Sequence, residues 1–313
     1  MPRNPEGQRH MDDQPQISKR KELEKIIKNE ALIEMQPSLE GLSDALDNTE
    51  GGAIYYGTGV ATPKHPSVGL PFDVLGMILI AEKIKRHAGF TDIYHHIADT
   101  HAKTNDWADP QQIDQRSAEV KFALEAVASN LGLDGFHIML SSEFDGTSEY
   151  QDLLAQFQDS DKHDYVKHEM ADMEWYRLQH GVVLKAGWII QANETELGAD
   201  ERLFDREYKS FKGDQLSFIY TKPGRTFDPS RPKASPYIQI PGERRLLLDP
   251  NENARATIEE AVEASGDVQL GGARKHLKSI VRLYESVFGT LGRDIDLEDK
   301  IQIILDTAFG KSS

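Results

Sequence analysis

The chain has 313 residues, with 52 Asp and Glu against 36 Lys and Arg and a formal net charge of −16 at pH 7. So acidic a surface excludes nucleic-acid binding through overall charge and leaves only local contacts with RNA. The absence of Cys excludes disulfides and thiolate metal sites, and the longest apolar run, VLGMILIA from Val74 to Ala81, is far shorter than the roughly 20 residues that span a bilayer.

An apolar share of 38% beside a charged share of 28% describes a globular chain with a sizeable core. Residues 1–16 are polar and lack the apolar stretch of a secretion signal, which predicts a loose tail and a cytoplasmic location. ISKRKELEKIIKNEALIEM, residues 17–35, places Leu23, Ile26, Ile27 and Leu32 at helical spacing and opens a helical arm over 17–48. GGAIYYGTG (51–59) reads as a strand ending in glycines, and the Pro- and Gly-shaped turn after it leads into a helix through Lys85. A strand over 90–98, a helix over 113–131 and a strand over 136–140 follow. Helices over 148–158, 163–180 and 200–211 precede a strand over 215–221.

Strands alternating with helices imply right-handed crossovers and a parallel sheet, hence an α/β fold with a Rossmann-like domain over 49–245. The Pro-rich loop KPGRTFDPSRPKASPYIQIPG leads out of that body into a mainly helical region, 246–313, with periodic segments at 252–264, 272–288 and 297–308. In an open parallel sheet the ligand sits beyond the carboxyl ends of the strands. The loops that matter are therefore TGVATPKHPSVG, DTHAKTND and SSEFDGTSEY, after Tyr56, Ala98 and Leu140. Each alone also reads as an ordinary turn, polar loop or helix cap.

Taken in order, these landmarks resemble the tyrosyl/tryptophanyl branch of class I aminoacyl-tRNA synthetases, most closely the compact archaeal tyrosyl type, from about Ser18 to Ser286. ELEKIIKNEALIE resembles the leading helix, AIYYGTGVATPKHPSVG the first strand and ATP-binding turn, and LGADERLFDREYKSF the helix beside the amino-acid pocket. IADTHA and SSEF, followed by Tyr150, are the most specific pieces. The resemblance implies a homodimer that uses ATP, with Mg2+, to activate an amino acid for transfer to tRNA.

The signature motifs are eroded. Aligned on Gly69, the family's His-Ile-Gly-His becomes Ser67-Val68-Gly69-Leu70, with His65 two residues early. Its Lys-Met-Ser-Lys-Ser is matched best by Lys233-Ala234-Ser235-Pro236-Tyr237, with Lys222, Arg225 and Arg231 nearby as further cations. The resemblance thus assigns His65, Ser67, Lys233 and Ser235 to catalysis and Gly57, Thr58, Gly59 and Gly69 to ATP. It assigns Tyr55, His101, Phe144, Asp145, Tyr150, Lys185, Trp188 and Glu201 to the amino acid. Lys185 and Trp188 stand near the family's Gln and hydroxyl-accepting Asp. An inward Lys repels an α-ammonium and attracts a carboxylate, while Trp removes the hydroxyl acceptor, so free tyrosine is not the expected preferred substrate. Glu201, in place of the family's Gln, restores an ammonium contact.

HHIADTH raises a metal alternative through His95, His96 and His101, but adjacent strand residues face opposite ways and no second cluster offers further ligands, so no metal is expected. The basic runs at 17–21, 83–87 and 274–282 are candidate contacts for an RNA backbone, or solvated helix faces. Two functions stand: ATP-dependent activation of an amino acid or related carboxylate, or a non-catalytic synthetase paralogue that binds tRNA or a nucleotide.

Overall fold

The computed structural model describes residues 19–29, 32–35, 52–60, 70–104, 109–157, 164–188, 217–221, 239–240, 244–245, 247–248 and 266–310. Helix α1 (Lys19–Asn29) and strand β1 (Leu32–Met35) come first, then β2 (Ala53–Gly59), β3 (Leu70–Pro71) and α2 (Phe72–Ala88). They are followed by β4 (Asp92–Ala98), α3 (Asp99–Lys103), α4 (Pro110–Leu131), β5 (Phe136–Leu140), a 3-10 turn (Ser141–Glu143), α5 (Ser148–Gln156) and α6 (Asp164–His180). Strands β6 (Val182–Trp188), β7 (Ser217–Thr221), β8 (Gln239–Ile240), β9 (Arg244–Arg245) and β10 (Leu247–Leu248) precede α7 (Gly266–Phe288) and α8 (Leu297–Phe309).

Six strands form the main sheet in the order β1-β7-β6-β2-β4-β5. The five strands from β7 to β5 are mutually parallel, and β1 closes one edge antiparallel to β7. The chain runs from β2 outward to β4 and β5, then returns to β6 and β7 on the other side. The strand order therefore reverses between β2 and β6, the place where such sheets open a ligand crevice. The fold is α/β and Rossmann-like.

Alternation along the strands builds two cores. Ile54, Tyr56, Ile93 and Ile97 face a cluster that includes Leu23 of α1, Ile78 of α2, Leu124 of α4, Ile280 of α7 and Ile304 of α8. Ala53 and Tyr55 face a second cluster with Phe144, Tyr150 and the inner side of α6. The C-terminal helices thus share the body's core: α7 lies on α2 and α8 on α4.

The helical periodicity expected to run to Met35 stops earlier. Leu32–Met35 is a strand because Phe218–Thr221 offers it a ladder partner from far along the chain, and local spacing carries no sign of that. DTHAKTND, expected as a polar loop, begins with the helix Asp99–Lys103. VVLKAGW, to which the sequence reading assigns no element, is a strand interior to the sheet. The helices expected over 200–211 and 252–264 lie outside the described residues.

Within the basic run at 83–87, Lys85 and Arg86 have internal partners, while Arg86 and His87 remain exposed. Glu82, 1% exposed, pairs with Lys85 at 3.1 Å and with Arg86 at 2.6 Å. Lys85 also donates to the carbonyl of Asp134, while Arg86 donates to the carbonyl of Val287 at 3.1 Å and lies 4.9 Å over the Phe288 ring. These cations fasten α2 to α7 and to the turn before β5, because a buried carboxylate holds them there.

That turn depends on Gly135, whose φ of 63° is left-handed and whose missing Cβ would lie 2.5 Å from the backbone oxygen of Thr91. Gly135→Ala is expected to lower the unfolding free energy by at least ~2 kcal/mol, since strain and a backbone clash add. Gly132→Ala has a similar φ of 62° but nothing within 4 Å, and should cost only ~1 kcal/mol. Urea unfolding of both variants checks this, and equal losses would refute the clash.

Candidate functional site

Parallel pairing sets Tyr55 beside Tyr94 of β4 on one flank and Lys185 of β6 on the other. The second pairing depends on an irregularity: Ala53 pairs with Val182 but Ile54 with Leu184, so Val183 is an extra residue. This shift puts Lys185 in register with Tyr55, on the α6 side of the sheet.

Four of the residues assigned to an amino-acid pocket converge there. Tyr55, His101, Phe144 and Tyr150 are all buried. The Tyr55 hydroxyl lies 2.8 Å from His96 Nδ1, and His96 Nε2 lies 2.7 Å from Ser141 Oγ, so one polar chain crosses the ends of β2, β4 and β5. Phe144 stacks on Trp175 at 4.1 Å between ring centres, and Tyr176 packs on Tyr55 at 4.7 Å. Asp145 sits nearer the rim, accepting a hydrogen bond from Thr100 Oγ1 at 2.8 Å. Asp99 accepts from the Ser142 backbone N–H at 3.0 Å and so joins the two strand-end loops.

Helix α6 adds what the sequence reading missed. Asp172 accepts from the Tyr150 hydroxyl at 2.8 Å, and its other oxygen is 2.9 Å from His101 Nε2 and 3.6 Å from His96 Nδ1. Glu169, one turn earlier, accepts from Lys185 Nζ at 2.9 Å and lies 4.0 Å from His101 Nδ1. The positive charge expected to repel an α-ammonium therefore already has a carboxylate partner. A signal for these residues exists in HEMADMEWY: Glu169, Asp172 and Tyr176 recur at helical spacing on a stretch otherwise rich in apolar residues.

Burial and charge oppose each other in this cluster. Burial by itself lowers the His101 pKa, but Asp172 foremost, then Glu169 and Asp99, leave it raised. Burial by itself raises Asp172, and His101 and His96 outweigh that and leave it lowered. Glu169 is likewise lowered, with Lys185 and His101 overcoming burial. His96 is held neutral, chiefly by burial. The Tyr150 and Tyr176 hydroxyls are pushed up by burial and then by Asp172. Among the described residues the buried Tyr176 hydroxyl has no hydrogen-bond partner.

His95 faces the opposite core, 2.9 Å from the Tyr56 hydroxyl through Nδ1 and 3.0 Å from Thr58 Oγ1 through Nε2. His95 and His96 do point to opposite faces, so they share no ligand.

Of the residues assigned to ATP, Gly57 and Gly59 are exposed at the end of β2. Among the described residues, a Cβ at Gly59 would meet nothing within 4 Å, and one at Gly57 would make only ordinary contacts, the nearest at 3.5 Å, so no described neighbour demands either glycine. His65, Ser67, Gly69, Glu201, Lys233 and Ser235 lie outside the described residues, as does the side chain of Trp188.

A parallel sheet whose strand order reverses between β2 and β6, with helices on both faces, defines a Rossmann-like α/β protein. No family model and no curated protein matches the sequence. Among solved structures the chain is similar to tyrosyl-tRNA synthetase from Archaeoglobus fulgidus complexed with L-tyrosine, with 18% identity, a TM-score of 0.54 and coverage of 93% of this chain and 98% of that one. It is also similar to tyrosyl-tRNA synthetase from Aeropyrum pernix, with 13% identity, a TM-score of 0.57 and coverage of 92% and 94%. Tryptophanyl-tRNA synthetase from Encephalitozoon cuniculi bound to tryptophan matches at 13% identity, a TM-score of 0.54 and coverage of 91% and 92%. The chain has the class I fold of tyrosyl- and tryptophanyl-tRNA synthetases.

Proposed function

We propose that the chain uses ATP to activate an amino acid or a related carboxylate as an acyl-adenylate and passes it to tRNA or another acceptor. The observation that supports this reading is the convergence of Tyr55, His101, Phe144 and Tyr150 beyond the strand ends beside the switch point. Two of the similar structures hold tyrosine or tryptophan, and an aromatic cage suits a flat side chain of that kind.

ATP, with Mg2+, supplies the α-phosphate that the substrate carboxylate attacks and the pyrophosphate that leaves. We assign Gly57, Thr58, Gly59 and Gly69 to the nucleotide, His65 and Ser67 to its phosphates, and Lys233 and Ser235 to the pyrophosphate. Glu201 takes the substrate ammonium, and Asp145, Lys185 and Trp188 border the amino-acid site. Catalysis of this kind is positioning and charge stabilisation without a protein nucleophile. A cytoplasmic homodimer is the setting this reading carries. Among the described residues no helix is long and apolar enough to cross a membrane.

ATP/pyrophosphate exchange by the purified chain, run across the standard amino acids and a set of aromatic and acidic analogues, tests the proposal. Exchange is expected with one compound, and not preferentially with free tyrosine, given Trp188 near the place of the family's hydroxyl-accepting Asp. One observation favours the other reading, a non-catalytic module. Tyr55, Phe144 and Tyr150 are at most 2% exposed, with Trp175 and Tyr176 of α6 packed over them. Silence across the panel with ATP binding intact would decide for that module.

A further inference from the structure

We infer that His101, Glu169 and Asp172 form a binding site for one divalent transition-metal ion of the zinc type. Each of the three offers a ligand atom, and these atoms lie within 4.8 Å of one another. The site joins α3 to α6 through an imidazole and two carboxylates one helical turn apart. That set suits zinc and its neighbours, whereas imidazole is a poor ligand for Mg2+.

The orientation of the carboxylates supports the assignment. Each has one oxygen held by a protein donor, Asp172 Oδ1 by the Tyr150 hydroxyl and Glu169 Oε1 by Lys185 Nζ, and its other oxygen is the one nearest His101. Outer partners that aim ligands in this way are a regular part of metal sites. Asp172 is fully buried, and among the described residues its Oδ2 makes no hydrogen bond, with His101 Nε2 in ion-pair contact at 2.9 Å. A spacing of 2.9 Å matches neighbouring ligands around an ion bonded at about 2.0–2.1 Å, which lie ~2.9–3.4 Å apart. Glu169 Oε2 lies 4.0 Å from the other ring nitrogen, Nδ1, and within 4.8 Å of the other two ligand atoms, so it joins the set by rotation about its side-chain torsions.

His96 is excluded as a ligand because its two nitrogens face the Tyr55 and Ser141 hydroxyls. Three protein ligands leave a fourth position for water or an amine.

The test uses the full-length chain, stripped with EDTA and titrated separately with Zn2+ and Co2+ by calorimetry, with the visible Co2+ spectrum recorded. One equivalent per chain is expected, with d–d bands distinct from the aquo ion and no competition from millimolar Mg2+. Tyr150→Phe, which removes the outer partner of Asp172 along with the hydroxyl's contact to His168 and leaves all three ligands in place, should weaken binding by about 10–100-fold. His101→Gln should abolish it, with circular dichroism confirming a folded chain. Binding of less than one equivalent, a Co2+ spectrum unchanged from the aquo ion, or affinity unaltered in Tyr150→Phe would each overturn the site. Because the wild-type titration needs no adenylate formation, its failure leaves the proposed function standing, and an inactive chain that binds one equivalent leaves the metal site standing.

Discussion

Replacing Asp172 by alanine is expected to lower the unfolding free energy by about 3–5 kcal/mol. The carboxylate is fully buried and faces the Tyr150 hydroxyl, His101 and His96. Its removal takes the shortest hydrogen bond from the Tyr150 hydroxyl and leaves the buried His101 imidazole without its nearest opposite charge, and the cost of breaking such a buried pair exceeds what the intact pair contributes. Glu169 alone then remains to balance Lys185 and His101. Urea unfolding at neutral pH measures the loss, with Asp152→Ala on the exposed side of α5 as a control expected within about 0.5 kcal/mol of the parent chain. Equal stability of the two variants would mean that the cluster contributes nothing to holding α6 against the strand ends.

His95 predicts an acid-sensitive limb of stability with a different origin. Burial foremost, and then neighbouring His96, lowers its pKa from 6.5 to about 3. Between those values the unfolded chain binds a proton that the folded chain refuses, so stability falls as pH falls below about 6.5 and the loss levels off near 3. The slope is up to about 1.4 kcal/mol per pH unit, which makes roughly 2–3 kcal/mol between pH 7 and pH 4.5. His95→Gln removes the titration while leaving a polar group beside Tyr56 and Thr58. The variant is expected to be less stable at pH 7, through lost ring packing on Tyr56 and Phe136, yet to lose less on acidification. Denaturant unfolding of both chains at the two pH values gives the double difference. A value near zero would show that His95 titrates normally in the folded state.

Much of the architecture was legible because it is written in local pattern. The strand ends at Gly59, Ala98 and Leu140 fall where the sequence reading put them. Helices α4, α6 and α8 differ from expectation only at their ends, as capping geometry allows: Asp109 and Asp296 each accept a backbone N–H and extend or sharpen the start. Tyr55, His101, Phe144 and Tyr150 could be named in advance because the resemblance to the synthetase family assigned them to the amino-acid site, while the strand boundaries located only the loops around them. Asp172 and Glu169 could not. Their helix is apolar enough to read as core, and only its docking shows that two carboxylates face the strand-end histidine.

By itself the sequence determined the α/β class, the three strand-end loops and the opposite facings of His95 and His96, because periods of 3.6 and 2 residues and the pleat are properties of the local backbone. Tertiary structure alone decided the partners. The extra residue at Val183 turns Lys185 onto Glu169, the ladder with β7 makes a strand of Leu32–Met35, and Glu82 draws Lys85 out of solvent toward the turn before β5 and holds Arg86 in the α2–α7 contact. In each case the deciding contact joins segments far apart in the chain or depends on burial, neither of which any local window contains.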